Sequence, residues 1–373
     1  MALHELPLDV QRDLADVCAL LPSDYATLAV STRAIQPNHV NARIKTADDL
    51  LRMILLHVAA DMSLRKTAAV VAETGGPIVS PYCLHIRMRA AGPYLAALVA
   101  ALLASTDHCV AETFDGYDLI AVDATAFSGR CASGTDARIH AAIRLSNFAV
   151  TSATAFGVEV GETFKRFEWK HGQLAIGDRA YCNPPGIAWV IDRGADVLVR
   201  LNRGTVRMID ARDKPLDLFT WVRTIAVGVV VERTVRITAT IDRKKRLIEG
   251  RLVATRLPDD KAEEARKRVR DEEGAKVTPE KIEMASYVVL FTSSTLTANR
   301  CLEVYRLRWQ VELLFKRWKS ICHFDRLPNE RPDTILSWVT AKLLLGLIVD
   351  RLARSEDDDF FPRASALDVD HAA

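Results

Sequence analysis

The segment Tyr305–Lys319, YRLRWQVELLFKRWK, constrains the fold of this chain more than any other stretch. Large apolar residues recur here at close to the 3.6-residue period of an α-helix, which predicts one helix packed against a core. They are Leu302, Tyr305, Trp309, Leu313 and Trp318. Polar residues recur at steps of three or four and therefore share one face. They are Tyr305, Arg308, Glu312, Lys316 and Lys319.

This polar face has two interpretations. In the first, Glu312 binds a metal ion and the neighbouring cations bind phosphate. In the second, the helix is amphipathic and Glu312 forms an ordinary ion pair with Lys316, four residues further on. Since such pairs are common on helices, the segment alone leaves both interpretations open.

Composition limits the class of protein. The chain has 373 residues, 49% of them hydrophobic, and a formal net charge of +2. This length suits two or three globular units, and any nucleic-acid surface must be local because the net charge is small. The seven cysteines are scattered without a CxxC pair, which favours reduced thiols in the cytoplasm and argues against a zinc site. The longest apolar run, residues 335–349, is shorter than a bilayer span and predicts a buried helix rather than a membrane segment.

Residues 1–112 are predicted to form a helical N-terminal DNA-binding domain. Ser63 can cap a helix that ends before Gly75, and Ser80 followed by proline can start a second helix. That second helix carries Arg87 and Arg89. A helix, a glycine turn and a basic helix form the outline of a helix-turn-helix DNA reader. Two short helices joined by a glycine turn without a DNA role remain the alternative.

The pattern changes to α/β after residue 112. The run DLIAVDATAFSG predicts a strand with Asp123 inside it, and LAIGDRAY places Asp178 at the end of a later strand. Strands followed by alternating helix and strand predict a mixed sheet flanked by helices. Strand-like stretches at 214–224, 227–241 and 249–257 predict a β-rich insertion. The expected divisions are a catalytic core of 113–202 and 286–354, an insertion domain of 203–285, and a disordered acidic tail of 355–373.

Three carboxylates, those of Asp123, Asp178 and Glu312, then stand out as a possible metal site. Mg²⁺ takes oxygen ligands and is commonly held by a few carboxylates together with substrate phosphate. Two such ions about 4 Å apart can activate an attacking oxygen and stabilise a leaving one in phosphoryl transfer. His140 is assigned to the sheet rather than to this site. Candidate phosphate-binding cations are Arg179, Arg308, Lys316 and Lys319.

These residues resemble the motifs of a known family. The spacing Tyr, two residues, Arg, three residues, Glu, six residues, Lys is the signature of IS-four-type bacterial insertion-sequence transposases. It is matched by Tyr305, Arg308, Glu312 and Lys319. A DRxY-type motif is matched at Asp178, and AVDAT around Asp123 is similar to the family's first acid motif.

The resemblance implies a DDE transposase with a ribonuclease-H-like core that an insertion domain interrupts. Asp123, Asp178 and Glu312 would be the catalytic ligands of Mg²⁺, or of Mn²⁺. In the family's cut-and-paste members, cleavage passes through a DNA hairpin at the transposon end, which is reopened before insertion. A tryptophan of a relative stacks on a flipped base, and Tyr287 stands at the comparable position, where a core role is the alternative. The expected DNA-binding residues are Tyr305, Arg308, Lys316, Lys319, Arg179, Tyr287, Arg87 and Arg89.

The expected partners are double-stranded DNA, as terminal inverted repeats and target, and a second copy of the chain in a synaptic homodimer. The expected location is the bacterial cytoplasm, at the nucleoid. Two alternatives are a catalytically silent DNA-binding protein derived from a transposase and a nuclease that hydrolyses without joining strands. The retained acids favour an active enzyme over the catalytically silent DNA-binding protein. The basic insertion and the helix-turn-helix-like segment favour end-specific binding over simple hydrolysis.

Overall fold

The computed structural model describes most of the chain. The described residues are 17–39, 42–106, 113–128, 136–157, 159–274, 277–324, 327 and 332–356. The predicted disordered tail, 355–373, lies outside this part of the chain from residue 357 onward, and its first two residues are helical, so the tail was predicted to begin too early.

The N-terminal region is helical, as the sequence predicts. Its helices are α1 (Tyr25–Ser31), α2 (Ala47–Ala59), α3 (Leu64–Glu73), α4 (Pro81–Ala90) and α5 (Gly92–Thr106). The predicted caps are present at the helix starts. The side chain of Ser63 accepts a hydrogen bond from the backbone N–H of Lys66 at 3.2 Å, and that of Ser80 accepts one from Cys83 at 3.1 Å. Such side chains satisfy N–H groups that the first turn of a helix leaves without a partner.

A single mixed sheet forms the centre of the molecule. Its strands are β1 (Asp118–Phe127), β2 (Ala137–Arg144), β3 (Val150–Gly157), β4 (Gln173–Gly177), β5 (Asp196–Arg200), β6 (Met208–Ile209), β7 (Val230–Ile241), β8 (Lys244–Arg256) and β9 (Tyr287–Thr292). They lie in the order β3-β2-β1-β4-β5-β9-β8-β7-β6. Strands β1, β2 and β3 form an antiparallel meander, whereas β4 runs parallel to β1 and β5 parallel to β4. Helix α6 (Pro184–Ile191) connects β4 to β5.

The register between β1 and β4 determines where the two aspartates lie. Ala121 stands opposite Ile176 in this parallel pair. Asp123 and Asp178 each follow two residues after this pair, so they lie side by side at the carboxyl end of β4. Gly177 precedes Asp178 because a side chain there would collide: an added Cβ would lie 2.8 Å from the Cβ of Tyr181.

The strands of segment 203–285 extend this same sheet. Strand β8 pairs with β9, and β9 pairs with β5. The segment also contains helices α7 (Leu218–Arg223), α8 (Asp259–Glu273) and α9 (Pro279–Met284). The strand predicted at 214–224 is wrong: Pro215 forms only an isolated bridge to Ile209, and the rest of the stretch contains helix α7. The Asp217 carboxylate accepts hydrogen bonds from the backbone N–H of Thr220 at 3.1 Å and from its hydroxyl at 2.7 Å, and this cap starts a helix.

The segment Tyr305–Lys319 belongs to two helices, so the prediction of one continuous helix is wrong. Helix α10 (Ala298–Leu307) ends and α11 (Trp309–Cys322) begins on either side of Arg308. The N–H of Arg308 bonds to the carbonyl of Tyr305, and the N–H of Val311 bonds to that of Arg308, both at 3.2 Å. These three-residue steps tighten the backbone locally and separate the two helices.

The two tryptophans of α11, Trp309 and Trp318, differ in burial. Trp309 is 44% exposed, contrary to its predicted core position. Trp318 is buried as predicted. The other buried side chains of α11 are Val311, Leu314, Phe315 and Cys322.

Two hydrophobic clusters cover the faces of the sheet. The first joins the N-terminal helices, one sheet face and helices α10, α11 and α12 (Pro332–Glu356). The second lies on the opposite face and contains an aromatic group that includes Phe164, Trp169 and Tyr181. Apolar residues 335–349 lie within α12 and are mostly buried, as predicted. Among the described residues no single helix has the length and hydropathy to cross a bilayer, although α4 and α5 taken together across a 53° bend do.

Candidate active site

Three carboxylates from distant parts of the sequence approach one another at the carboxyl edge of β4. Asp123 comes from β1, Asp178 follows β4, and Glu312 lies in the first turn of α11, which packs against β1. The carboxylates of Asp178 and Glu312 both act on Asp123, since each raises its pKa. The sequence-predicted acids are therefore neighbours in the structure.

Asp123 is more enclosed than Glu312, whose side chain is 43% exposed. The Asp123 side chain is 16% exposed and accepts a hydrogen bond from the N–H of Ala124 at 2.8 Å. Burial, followed by the nearby carboxylates of Asp178 and Glu312, raises its pKa to about 7, although the Ala124 N–H and Arg308 act in the opposite direction. A group of acids that repel one another in this way is well suited to binding a cation.

Asp178 is fixed by the turn that follows β4. Its carboxylate accepts hydrogen bonds from the backbone N–H groups of Ala180 at 2.8 Å and of Tyr181 at 3.4 Å. Tyr181 is fully buried, with its ring 5.3 Å from that of Phe164. The tyrosine of the DRxY-type motif thus anchors the turn in the core, and the turn holds the aspartate.

Arg308 lies between Asp123 and Glu312. Its guanidinium bonds to the Glu312 carboxylate and lies 3.8 Å from that of Asp123. It also lies 5.8 Å from the centre of the Tyr305 ring. The ion pair of Glu312 is therefore with the arginine one turn before it, and the Glu312–Lys316 pair of the second sequence interpretation is not the contact that forms.

The other predicted cations are exposed and follow the acids closely in sequence. Arg179 is exposed directly after Asp178, and Lys316 and Lys319 are exposed on α11. Cations that face solvent beside buried acids can bind an anionic chain without first losing a protein partner.

Two further charged residues near the acids, Arg200 and Glu162, were not predicted from the sequence. Arg200, the last residue of β5, is half-buried, and burial followed by Arg179 lowers its pKa, with Arg308 also contributing. Glu162 pairs with Arg138 at 3.4 Å, and its pKa is raised by burial and by Asp178. The signal for Arg200 was available, because it ends a strand parallel to β4 at the same sheet edge. No sequence pattern distinguishes Glu162.

A cavity of about 530 Å³ opens beside Arg179. Tyr287 lines this cavity and is 5% exposed, so it combines a core position with one face towards the opening. The remaining walls are mixed, with apolar, cationic and acidic side chains. They include Arg200, Leu201, Arg203, Leu218, Glu272, Glu280, Lys281, Met284 and Val289.

Arg87 and Arg89 lie elsewhere, on α4 of the N-terminal region. Arg87 turns towards the interior and donates a hydrogen bond to the carbonyl of Ala34 at 3.5 Å. Arg89 is half-buried. The structure therefore does not bring these two arginines to the acid site.

The donor chemistry of the acid site suits a hard divalent cation, because all three side chains offer carboxylate oxygens. Within the described ranges, no group of three or more His, Cys, Asp or Glu side chains is close enough together to hold a metal ion. Arg308 occupies the space between two of the acids instead.

Comparison with known proteins gives a consistent result. Residues 115–345 match the family model described as a transposase DDE domain. The chain is 30% identical over 331 residues to the putative transposase InsL for insertion sequence element IS186A of Escherichia coli (strain K12), covering 87% of this chain and 89% of that protein. It is also 30% identical over 332 residues to the transposase for insertion sequence element IS421 of Escherichia coli, with the same coverage.

A shorter match is to the transposase for insertion sequence element IS1151 of Clostridium perfringens, at 28% identity over 142 residues. It covers 36% of this chain and 28% of that protein. The family model spans all three carboxylates of the acid site, and the two longer matches extend over most of the chain. The chain therefore belongs to the DDE transposase family of insertion-sequence enzymes.

Proposed function

We propose that this transposase binds the terminal inverted repeats of its insertion sequence and catalyses Mg²⁺-dependent DNA cleavage and strand transfer. The observation that supports this function most directly is the position of Arg308 between Asp123 and Glu312, together with the effect of the nearby Asp178 carboxylate on the pKa of Asp123. Phosphoryl transfer on DNA needs carboxylates for a metal ion and cations for the phosphates, and this edge of the sheet offers both.

Asp123, Asp178 and Glu312 are the proposed ligands of Mg²⁺, with Mn²⁺ as the substitute. Their fit is supported by the raised pKa of Asp123, which burial causes first and the carboxylates of Asp178 and Glu312 increase, because a divalent cation would stabilise these carboxylates in their charged form. When bound, such an ion would activate the attacking oxygen and stabilise the leaving oxygen. The Arg308 guanidinium would then be released from the acids and become available for DNA phosphate.

The remaining cations and the tyrosines are proposed to position the DNA. Arg179, Lys316 and Lys319 are exposed and would bind the phosphates of the transposon end. Arg200 would add a less exposed positive charge at the same edge. Tyr305 would orient the Arg308 guanidinium, which lies beside its ring. Tyr287, at the wall of the 530 Å³ cavity, would stack on a base.

The architecture is proposed to be that of a ribonuclease-H-like core, formed by 113–202 and 286–354 and interrupted by the 203–285 insertion domain. The meander of β1, β2 and β3 followed by parallel β4 and β5 supports this assignment. The N-terminal region, residues 1–112, is proposed to bind DNA through α3 and α4, with Arg87 and Arg89 contributing.

The proposed pathway is cut-and-paste. Water attack would release a 3′-hydroxyl, which would attack the opposite strand to form a hairpin that is reopened before insertion into target DNA. Because an insertion sequence has two ends, two copies of the chain are proposed to form a synaptic homodimer. The proposed location is the bacterial cytoplasm, in contact with the nucleoid.

Cleavage of the element's own end DNA in Mg²⁺ tests this function. The variants Asp123→Asn, Asp178→Asn and Glu312→Gln should each lower cleavage by more than about 100-fold while gel-shift binding of the end survives. Asp271→Asn, which changes an exposed acid of α8, is the matched control and should cleave normally.

The possible outcomes separate the alternatives. Near-normal cleavage by Glu312→Gln would exclude that residue as the third acid. End binding without cleavage by the wild type would instead support a catalytically silent DNA-binding protein. Cleavage without strand joining would support a nuclease.

A further inference from the structure

The outward face of helix α4 is apolar although it faces solvent. Tyr82 is 72% exposed and Ile86 is 41% exposed, and they lie four residues apart on the same side of the helix. Ile78, which precedes the helix, is 74% exposed. The opposite side of α4 is buried in the core through Leu84 and Met88. Exposed apolar groups that lie next to one another commonly mark a binding surface.

The turn before α4 presents this face rigidly. Gly75 has a φ of +79°, which favours glycine. Gly76 lies so close to α3 that an added Cβ would be 2.6 Å from a methyl carbon of Val71. The Arg52 guanidinium donates a hydrogen bond to the carbonyl of Thr74 at 3.1 Å. The side chain of Ser80 then caps α4, so both ends of the turn are fixed.

The charges around the apolar face indicate a partner that carries negative charge. Helix α4 has no acidic residue, and its Arg89 lies three residues after Ile86 on the same side of the helix, whereas Arg87 is turned towards Ala34. The exposed Arg43 guanidinium lies beside the face, 3.4 Å from the carbonyl of Ile78 to which it donates a hydrogen bond. A second copy of this face would bring cations against cations. A DNA major groove offers phosphates at its edges and thymine methyl groups at its floor.

The size and position of the apolar groups fit such a groove. A ten-residue helix is about 15 Å long and can lie in the major groove, which is about 12 Å wide. Tyr82 lies in the first turn of α4, the part of a recognition helix that commonly contacts base edges. The arginine expected to read DNA, Arg87, is turned away from this side towards Ala34.

We propose that the outward face of α4, formed by Ile78, Tyr82 and Ile86, contacts thymine methyl groups in the major groove of the element's terminal repeats. This inference rests on the proposed function as an end-binding transposase and names the residues that would determine sequence preference. Ile86 supplies a branched apolar contact, and Tyr82 supplies a ring whose hydroxyl can reach a base edge or phosphate.

Replacement of thymine by deoxyuridine in the end duplex tests this contact, because it removes the methyl group and retains base pairing. The dissociation constant is measured by fluorescence anisotropy at fixed salt. For the wild type, deoxyuridine at one or two positions should weaken binding about fourfold per methyl. Ile86→Ala should bind the unmodified duplex more weakly and should no longer respond to deoxyuridine at one of those positions.

Leu247→Ala is the matched control, since Leu247 is an exposed apolar residue of β8 with 46% exposure. It should bind like the wild type and remain sensitive to deoxyuridine. If Ile86→Ala retains the full sensitivity at every position, or if the wild type has none, the inference is wrong while end binding itself stands. A wild type that does not distinguish the end from a scrambled duplex would instead refute the proposed end-binding function.

Sedimentation of the same proteins tests the competing occupant. If Ile86→Ala lowers the mass of a self-associated species and leaves DNA affinity unchanged, the face is an interface between copies of the chain, and the inference is wrong. An unchanged mass together with the lost methyl response supports the proposed contact.

Discussion

Arg308 is the residue on which the geometry of the acid site depends most directly. It ends the turn between α10 and α11, bonds to Glu312 and lies 3.8 Å from Asp123. With 16% of its side chain exposed, it neutralises acids that would otherwise repel one another at close range. We therefore propose that a divalent cation would compete with this guanidinium for the same carboxylates, so that the arginine substitutes for the metal in the free protein.

Replacing Arg308 should strengthen metal binding to the free protein. Arg308→Gln should have a lower Tm than the wild type without metal, because two acids lose their cation. Added Mg²⁺ should then raise the Tm of the variant by a few degrees more than that of the wild type. Differential scanning fluorimetry across a Mg²⁺ titration measures both effects.

Arg306→Gln is the control for this comparison, because Arg306 is exposed on the neighbouring turn of α10. Its Tm and its Mg²⁺ response should match those of the wild type. An Arg308→Gln protein whose Mg²⁺ response is equal to or smaller than that of the wild type would mean that the arginine does not compete with the metal.

At the scale of elements, the sequence predicted positions in the sheet better than breaks in helices. The strand carrying Asp123 and the acid after β4 follow from apolar runs and a turn motif, and the register of β1 with β4 brings them level. The break at Arg308 could not be predicted, because its backbone angles are themselves helical, with φ −53° and ψ −33°. A local change from four-residue to three-residue backbone hydrogen bonds does not require particular residue types and therefore cannot be recognised in the sequence. The exposure of Trp309 follows from that break.

His140, in strand β2, makes the stability of the protein depend on pH. The residue is fully buried, contacts the ring of Phe156 at 5.5 Å, and has a pKa lowered to about 4, mainly by burial and then by Arg166. Between about pH 6.5 and pH 4 the unfolded chain takes up a proton here and the folded chain does not. This residue therefore makes the protein less stable as the pH falls through that range.

His140→Leu should remove this dependence. The difference in unfolding free energy between pH 7 and pH 4 should shrink by on the order of 2 kcal/mol relative to the wild type. Urea denaturation at a series of pH values measures it. His171→Leu, which changes an exposed turn residue, should leave the wild-type slope unchanged. A slope unaltered by His140→Leu would contradict the assignment of a neutral, buried imidazole.

At the scale of the whole molecule, α12 ties the N-terminal helices to the catalytic sheet. Lys342 of α12 is 1% exposed and donates hydrogen bonds to the Asp61 carboxylate at 3.1 Å and to the carbonyl of Cys322, at the end of α11, at 2.7 Å. The same hydrophobic cluster contains Leu50 of α2 and Val311 of α11. The sequence indicated a buried helix at 335–349 but could not indicate that its one lysine joins two distant segments.

Removing Lys342 should destabilise the whole molecule. Lys342→Met leaves the Asp61 carboxylate and a helix-terminal carbonyl without this donor and should cost about 3 kcal/mol. Adding Asp61→Asn should recover part of the loss. Lys244→Met, at an exposed position of β8, should stay within about 0.5 kcal/mol of the wild type.

Urea denaturation followed by tryptophan fluorescence and by circular dichroism measures these changes. The two signals should give one coincident transition, because the helices and the sheet share a core. Separate transitions, or a Lys342→Met protein as stable as the wild type, would show that the two regions are not coupled in this way.

Iron-mediated cleavage of the protein chain tests most directly the proposal that Asp123, Asp178 and Glu312 form one divalent-metal site. With ascorbate and hydrogen peroxide added, Fe²⁺ that replaces Mg²⁺ reduces the peroxide to hydroxyl radicals, which cut the backbone beside its ligands, and mass spectrometry locates the cuts. With end DNA bound, we expect cuts near all three residues, suppressed by excess Mg²⁺ and lost in Glu312→Gln. Cuts confined to another part of the chain, or cuts near the aspartates that persist unchanged in Glu312→Gln, would contradict the proposal.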